Sequence, residues 1–371
     1  EGNLNSLGEA LDFPLKPYTR YWYTVAVRSD YGEEAVSQPC FFETGKLDDP
    51  WVGQWLGVEG GDTHPEFQKT FSLPDKPCSA RLYICGLGLF EAYLNGEKAG
   101  NDLLAPFLND YTEHFQYCTY DVTSLLAQDN TLSVLLGDGW YRGHFGLGEP
   151  THYDRPLALI AELCMEFADG HRETLCSDSG WQYRSSFTTL SDIYNGETQD
   201  YTKALGDWKQ PVLISAPGRL CDRYSSPLHY MESIPVKEVI HTPAGETVLD
   251  FGQNFAGHVI CTQPLPKGTT MTLEFGEVLQ NGNFYHENYR HAESKFTYVS
   301  DGIHREIRPR FTFFGFRYVK ISGLERVDAA CFEGRAIYSE MDRTGFIRTG
   351  NEKINRLFSN SLWGLKSNFL D

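Results

Sequence analysis

Along most of this chain apolar and polar positions alternate in twos. Between 12 and 45, Tyr21, Tyr23, Val25 and Val27 alternate with Trp22, Thr24 and Ala26 before the turn Ser29-Asp30-Tyr31-Gly32, the signature of strands bounded by turn residues. Residues 80–84, 90–94, 132–136, 157–165, 248–251, 269–275 and 317–321 read as further strands. In Met271-Thr272-Leu273-Glu274-Phe275 the apolar side chains fall on one face. Asn95-Gly96 after the second of these predicts a type I′ hairpin, whose two central residues need positive φ. The stretch 277–294 is long and polar and reads as an exposed loop. Only at 351–371 does the period change. There Ile354, Leu357, Phe358, Leu362, Leu365 and Phe369 recur at threes and fours, with Asn351 as N-cap and Glu352 at the positive end of the helix dipole. Such a stripe must be buried against helices or a sheet. The expectation is a chain cut at the threshold of a helical domain.

At 371 residues there is room for two or three domains. Many short strands with Gly-rich turns predict a mainly β fold of tandem β-sandwiches. A formal charge of −18 argues against nucleic acid and anionic membrane surfaces as partners, since both need clustered Lys and Arg. No run of 18 apolar residues is present, and Glu1-Gly2-Asn3-Leu4 shows no basic or apolar leader. The nine cysteines are odd in number, widely spaced and without CxxC. They read as small buried hydrophobes rather than zinc ligands and favour a reducing, cytoplasmic compartment. A homo-oligomer stays open.

Several constellations fail as chemistry. Glu274 and Glu277 are three apart on a strand pattern, hence on opposite faces. His286, His291 and His304 have no ligand spacing, and no GxSxG, P-loop or GxGxxG stands between strand and helix. Three clusters are more suggestive. In Gly100-Asn101-Asp102-Leu103-Leu104-Ala105-Pro106, the oxygens of Asn101 and Asp102 suit Ca²⁺ or sugar hydroxyls, or a plain Asx turn. In Gly137-Asp138-Gly139-Trp140-Tyr141-Arg142-Gly143, Trp140 and Arg142 suit a sugar ring, or the aromatics are core. In Ser191-Asp192-Ile193-Tyr194-Asn195-Gly196-Glu197, with Asp200, the carboxylates suit a cation or polar ligand, or hold a structural loop together.

These clusters also carry a likeness. Gly86 to Gly96 (GLGLFEAYLNG), Leu104-Ala105-Pro106, Tyr117-x-Thr119-Tyr120-Asp121-Val122-Thr123, the 137–143 run and Asp192 to Glu197 resemble the N-terminal β-sandwich of bacterial α-L-rhamnosidases of glycoside hydrolase family 78. Asp250-Phe251-Gly252-Gln253-Asn254-Phe255-Ala256-Gly257, with Arg308 to Tyr318 (RPRFTFFGFRY), resembles that family's concanavalin-like sandwich. The segment from Asn351 to Asp371 resembles the first helix of its (α/α)₆ barrel. Leu15, Pro17, Tyr21, Tyr23, Val25, Val27 and Phe42-Glu43-Thr44-Gly45 are similar to the closing strands of a fibronectin type III domain. The implied division is a fibronectin-like remnant over 1–47, a jelly-roll carbohydrate-binding-like sandwich over 48–228, a concanavalin-like sandwich over 229–341, and linker plus barrel helix over 342–371. Two departures are local: Asn109-Asp110 follows Pro106-Phe107-Leu108 where the family more often has Gly-Trp-Thr, and Ser294 to Tyr298 lacks the usual Asp before Tyr298.

The resemblance implies a glycosidase that removes terminal α-L-rhamnose from glycosides or polysaccharides with inversion, needing no cofactor. Its catalytic carboxylates are expected downstream of Asp371, leaving this span without turnover. It also implies a rhamnose site with bound Ca²⁺ in the jelly-roll, near Asn101 and Asp102, with Trp140 and Arg142 as sugar contacts. A stand-alone carbohydrate-binding module and a ligand-free scaffold are the competing readings.

Overall fold

The computed structural model describes residues 13–59, 64–144, 155–216 and 218–370, and the chain divides into two units, Glu1–Val52 and Gly53–Asp371. In the first, Arg20–Tyr23 pairs antiparallel with Cys40–Glu43, and Ala26–Arg28 with Glu34–Val36. Trp22 and Phe41 are cross-strand partners with ring centroids 5.0 Å apart, and both stay exposed.

The second unit begins with two sheets, of seven and five strands. Ser79–Leu87 and Ala158–Glu166 run through the middle of the larger sheet, and Pro65–Ser72 and Asp129–Gly137 through the smaller. Leu82, Ile84, Phe67, Leu132, Val134 and Leu159 are buried, as alternation along these strands requires. Asn95 (φ 56°) and Gly96 (φ 84°) both take the left-handed conformation, closing the predicted hairpin between Leu89–Leu94 and Glu97–Lys98.

A nine-stranded sheet follows, built around Thr247–Cys261, Thr270–Gly276, Phe314–Ser322 and Phe332–Ser339. Met271, Leu273 and Phe275 are fully buried beside Phe296, Phe316 and Val319, which confirms the single apolar face of that strand. The boundary near 228 is less simple than the sequence division. Thr188–Asp192 and Gly196–Asp200 leave the first sandwich and extend this sheet, Gly196–Asp200 lying parallel to Lys295–Val299. Only glycine fits at 196: its φ is +102°, and a Cβ would lie 1.8 Å from the Lys295 carbonyl oxygen.

The two sandwiches are locked by the segment Arg308-Pro309-Arg310-Phe311-Thr312. The Arg308 guanidinium reaches Glu91 Oε1 at 2.7 Å, and Arg310 pairs with Glu91 Oε2. Backbone N–H groups of Arg310 and Phe311 both donate to Glu197 at 2.8 Å. The Phe311 ring lies where any Cβ on Gly137 would sit.

Two expectations are amended by the structure. The stretch 277–294 is ordered: Val278–Gln280 and Asn283–Tyr285 form a small hairpin and Glu287–Tyr289 a 3₁₀ turn. The terminal helix covers Glu352–Lys366, capped by Asn351, whose side chain accepts from the Lys353 N–H at 2.9 Å. Its seat is Trp363, which packs against the nine-stranded sheet's core, supported by Lys366 on Glu232. The stripe residues Ile354, Leu357, Phe358, Leu365 and Phe369 remain exposed. No helix among the described residues is long and apolar enough to cross a membrane. Of the cysteines, Cys85, Cys118 and Cys261 are buried, whereas Cys40 and Cys78 are exposed.

Candidate functional site

The turn joining the two transferred strands, Ile193-Tyr194-Asn195, forms one wall of a cleft of about 580 Å³. Asp192 builds that wall. Buried to 1% exposure, it accepts from the Tyr194 and Asn195 N–H groups at 2.8 Å through Oδ1. Its Oδ2 takes the His144 backbone N–H at 3.0 Å and faces the imidazole Nδ1 at 2.9 Å. The carboxylate fixes both the turn and the histidine ring.

One support of Glu277, which lines the same cleft, comes from an irregularity. Between Asp250 and Phe255 the register of Thr247–Cys261 against Phe314–Ser322 shifts. Asp250 stabilises the bulge by accepting from the Gly252 N–H at 2.6 Å and from Arg317 at 2.8 Å through both oxygens. Burial alone would raise the Asp250 carboxyl, but Arg317 and that backbone bond hold it below its ordinary value. The bulge presents Asn254, whose amide donates to Glu277 Oε1 at 2.9 Å; the amide of Asn288 donates to Oε2 at 3.0 Å. Tyr289 bonds the Gly315 carbonyl, and burial together with the Glu277 charge pushes its phenol up. Arg290, His291, Ala292, Ser294, Phe313 and Phe314 complete the lining. Among the described lining residues Glu277 is the only carboxylate.

That composition decides what the cleft can do. A single carboxylate held by amides accepts hydrogen bonds, and aromatic and aliphatic side chains offer apolar surface. Inverting glycoside hydrolysis needs two carboxyl groups about 6.5–9.5 Å apart, which this lining does not supply.

The other two clusters singled out from sequence lie elsewhere. Asn101 is exposed and Asp102 buried. Asp102 accepts from Arg223 at 2.7 Å and from the Tyr120 hydroxyl at 3.1 Å, and faces His229 Nε2 at 3.2 Å. Ca²⁺ there would have to displace Arg223 and gather six to eight oxygens, while no group of three His, Cys, Asp or Glu able to hold a metal occurs among the described residues. Arg142 belongs to a different network: it is 3% exposed, bonded to Asp138 at 2.7 Å, with His64 on the same carboxylate oxygen at 3.4 Å. Trp140 is half-buried, and its neighbour Tyr141 packs edge-on against Tyr111. Asp102→Ala would strand Arg223 without its partner and is expected to destabilise the unit by about 3 kcal/mol, read from urea denaturation, with or without added Ca²⁺.

The 191–197 cluster did contribute a wall of the cleft through Asp192 and Asn195. Glu277 and Asn288 were not legible as a pair, because the bulge that aims Asn254 at the other Glu277 oxygen has no local sequence signal beyond Gly252, which takes φ +74°.

Two family models match. Residues 75–237 match the α-L-rhamnosidase N-terminal domain, and 240–338 the bacterial α-L-rhamnosidase concanavalin-like domain. An α-L-rhamnosidase of Streptomyces avermitilis is 35% identical over 322 residues, which cover 82% of this chain and 31% of that protein. The crystal structure of native α-L-rhamnosidase from Aspergillus terreus superposes with a TM-score of 0.90 at 29% identity, over 97% of this chain and 45% of that one. The Streptomyces avermitilis α-L-rhamnosidase complexed with L-rhamnose superposes with a TM-score of 0.87 at 24% identity, over 96% of this chain and 53% of that one. The chain thus spans from about a third to about half the length of these proteins.

Proposed function

Because the chain belongs to the bacterial α-L-rhamnosidase family through these two domains, we propose that the whole protein removes terminal α-L-rhamnose from a rhamnose-containing carbohydrate by inverting hydrolysis. The 371-residue span supplies accessory β-sandwiches to that reaction. The observation that carries this reading is the order and continuity of the match, both family domains following one another in a single packed unit. That Glu277 is the only carboxylate among the described lining residues agrees with a catalytic pair residing on other residues of the whole protein.

The test is hydrolysis of p-nitrophenyl α-L-rhamnopyranoside. The whole protein is expected to release rhamnose, first as the β-anomer by proton NMR, since a single displacement inverts the anomeric carbon. The 371-residue chain is expected to give no rate above buffer. Turnover by the chain alone would place the catalytic groups within it and overturn the division of labour; no turnover by the whole protein would overturn the activity.

A further inference from the structure

Glu277 lies in the cleft with Arg290, His291 and His144 in the same lining. Asn254 and Asn288 each give one amide hydrogen to a different carboxylate oxygen, and no Lys, Arg or His forms an ion pair with it among the described residues. A carboxylate oxygen has two acceptor directions, so each oxygen keeps one after its amide is satisfied. Two such acceptors on one planar group match a pair of adjacent hydroxyls. A metal ion fits poorly, because the described residues bring no second or third anionic ligand to Glu277. The rest of the lining sets apolar surface from Ile193, Ala292, Phe313 and Phe314 beside the polar side chains of His144, Asn195, Arg290, His291 and Ser294. Adjacent hydroxyls beside apolar groups describe a sugar that has lost one hydroxyl to a methyl group.

We propose that this cleft is a non-catalytic binding site for a 6-deoxyhexopyranoside. Two neighbouring ring hydroxyls donate to Glu277, and the ring face and methyl group lie among Phe313, Ile193 and Ala292. The choice of sugar rests on the rhamnosidase reading, whereas the acceptor geometry does not. A site of this kind would hold one sugar unit of a larger carbohydrate while another unit is cleaved elsewhere on the protein.

The experiment is saturation-transfer NMR on the 371-residue chain with methyl α-L-rhamnopyranoside, alongside methyl α-L-mannopyranoside, which differs by restoring the 6-hydroxyl. Saturable transfer to the rhamnoside is expected, several-fold weaker for the mannoside, and weakened at least tenfold by Glu277→Gln and by Phe313→Ala. Circular dichroism checks that each variant is folded; if Glu277→Gln is not, Phe313→Ala decides. Absence of transfer to the wild-type chain, or transfer retained in the folded variants, overturns the site. Equal binding of the two glycosides overturns the placement of the methyl group. Either failure leaves the hydrolysis assay on the whole protein untouched, and a protein that binds the rhamnoside but never cleaves it separates the two in the other direction.

Discussion

Glu91→Gln is expected to lower the stability of the 53–371 unit by about 4 kcal/mol, seen as a fall in the urea midpoint with little change in slope. Glu91 lies on Leu89–Leu94 of the first sandwich and is 3% exposed. It faces Arg308 at 2.7 Å, Arg310, Lys98 at 3.6 Å and the Tyr93 hydroxyl at 2.6 Å. Burial by itself would raise its carboxyl, yet Arg308, Arg310 and Lys98 outweigh burial and hold it well below the usual carboxylate range. Glutamine keeps the shape and removes the charge, leaving Arg310 and Lys98 without the carboxylate they share and Arg308 with only Glu306 at 3.8 Å, in a largely buried site. Arg310 Nε already has no partner there, so little slack exists for rearrangement. Because the folded carboxyl is lowered, its contribution is complete above the ordinary value of 4.5 and disappears only as pH falls through the lower folded value. A midpoint within about 1 kcal/mol of wild type would mean the arginines are solvated and the lock is not closed.

The second large effect is acid sensitivity centred on His258, in the same region and 0% exposed. Its Nε2 lies 2.7 Å from the Thr312 carbonyl oxygen, which can only accept, so Nε2 carries the hydrogen. Nδ1 then accepts from the Tyr230 hydroxyl at 2.8 Å. Both ring nitrogens are satisfied in the neutral form. Burial, with the Arg308 charge adding to it and the Thr312 bond only partly opposing it, lowers the imidazole to about 3. Between the ordinary histidine value of 6.5 and about 3 the unfolded chain takes up a proton that the folded chain refuses. Stability is therefore full above the unfolded value and declines as pH falls through this window, by about 1.4 kcal/mol per unit. Between pH 7 and pH 4 His258 is expected to account for about 3 kcal/mol of the loss. His258→Gln can donate to Thr312 and accept from Tyr230 without titrating. The difference between the two pH profiles isolates this residue from the carboxylates, and parallel profiles would show that His258 takes up its proton as readily in the folded chain as in the unfolded one.

The Glu91 pairs span 217 and 219 positions and join different sheets, and the His258 bonds span 28 and 54 positions, so no local window shows either. Glu91 looked like an ordinary strand residue inside GLGLFEAYLNG, and Arg308 and Arg310 like a motif of the second sandwich. Only the approach of one sandwich to the other makes a buried ion cluster of them. The same holds for the cleft. Asp192 and Asn195 stood out as a polar cluster, but Glu277 read as solvated, since the amides that hold it come from a bulge at 254 and a loop at 288. Asp102 and Arg142 were weighed for a ligand or for a structural turn and core, and a sequence does not display the Arg223 and Asp138 that engage them.

What the amino-acid sequence determined by itself was local and periodic. Alternation in twos placed the strands, Asn95-Gly96 closed its hairpin, and Asn351 capped the one helix, because backbone propensity, turn sterics and capping act over a few residues. The family likeness, resting on runs of residues in order, held over both sandwiches. Tertiary structure alone decided that residues 188–200 join the other sandwich's sheet, that Trp363 rather than the exposed stripe seats the helix, and that Glu277 stands in a cleft with no ion pair among the described residues. Those outcomes depend on burial and on charges brought together by chain crossings, and no short window of sequence contains both partners of such a contact.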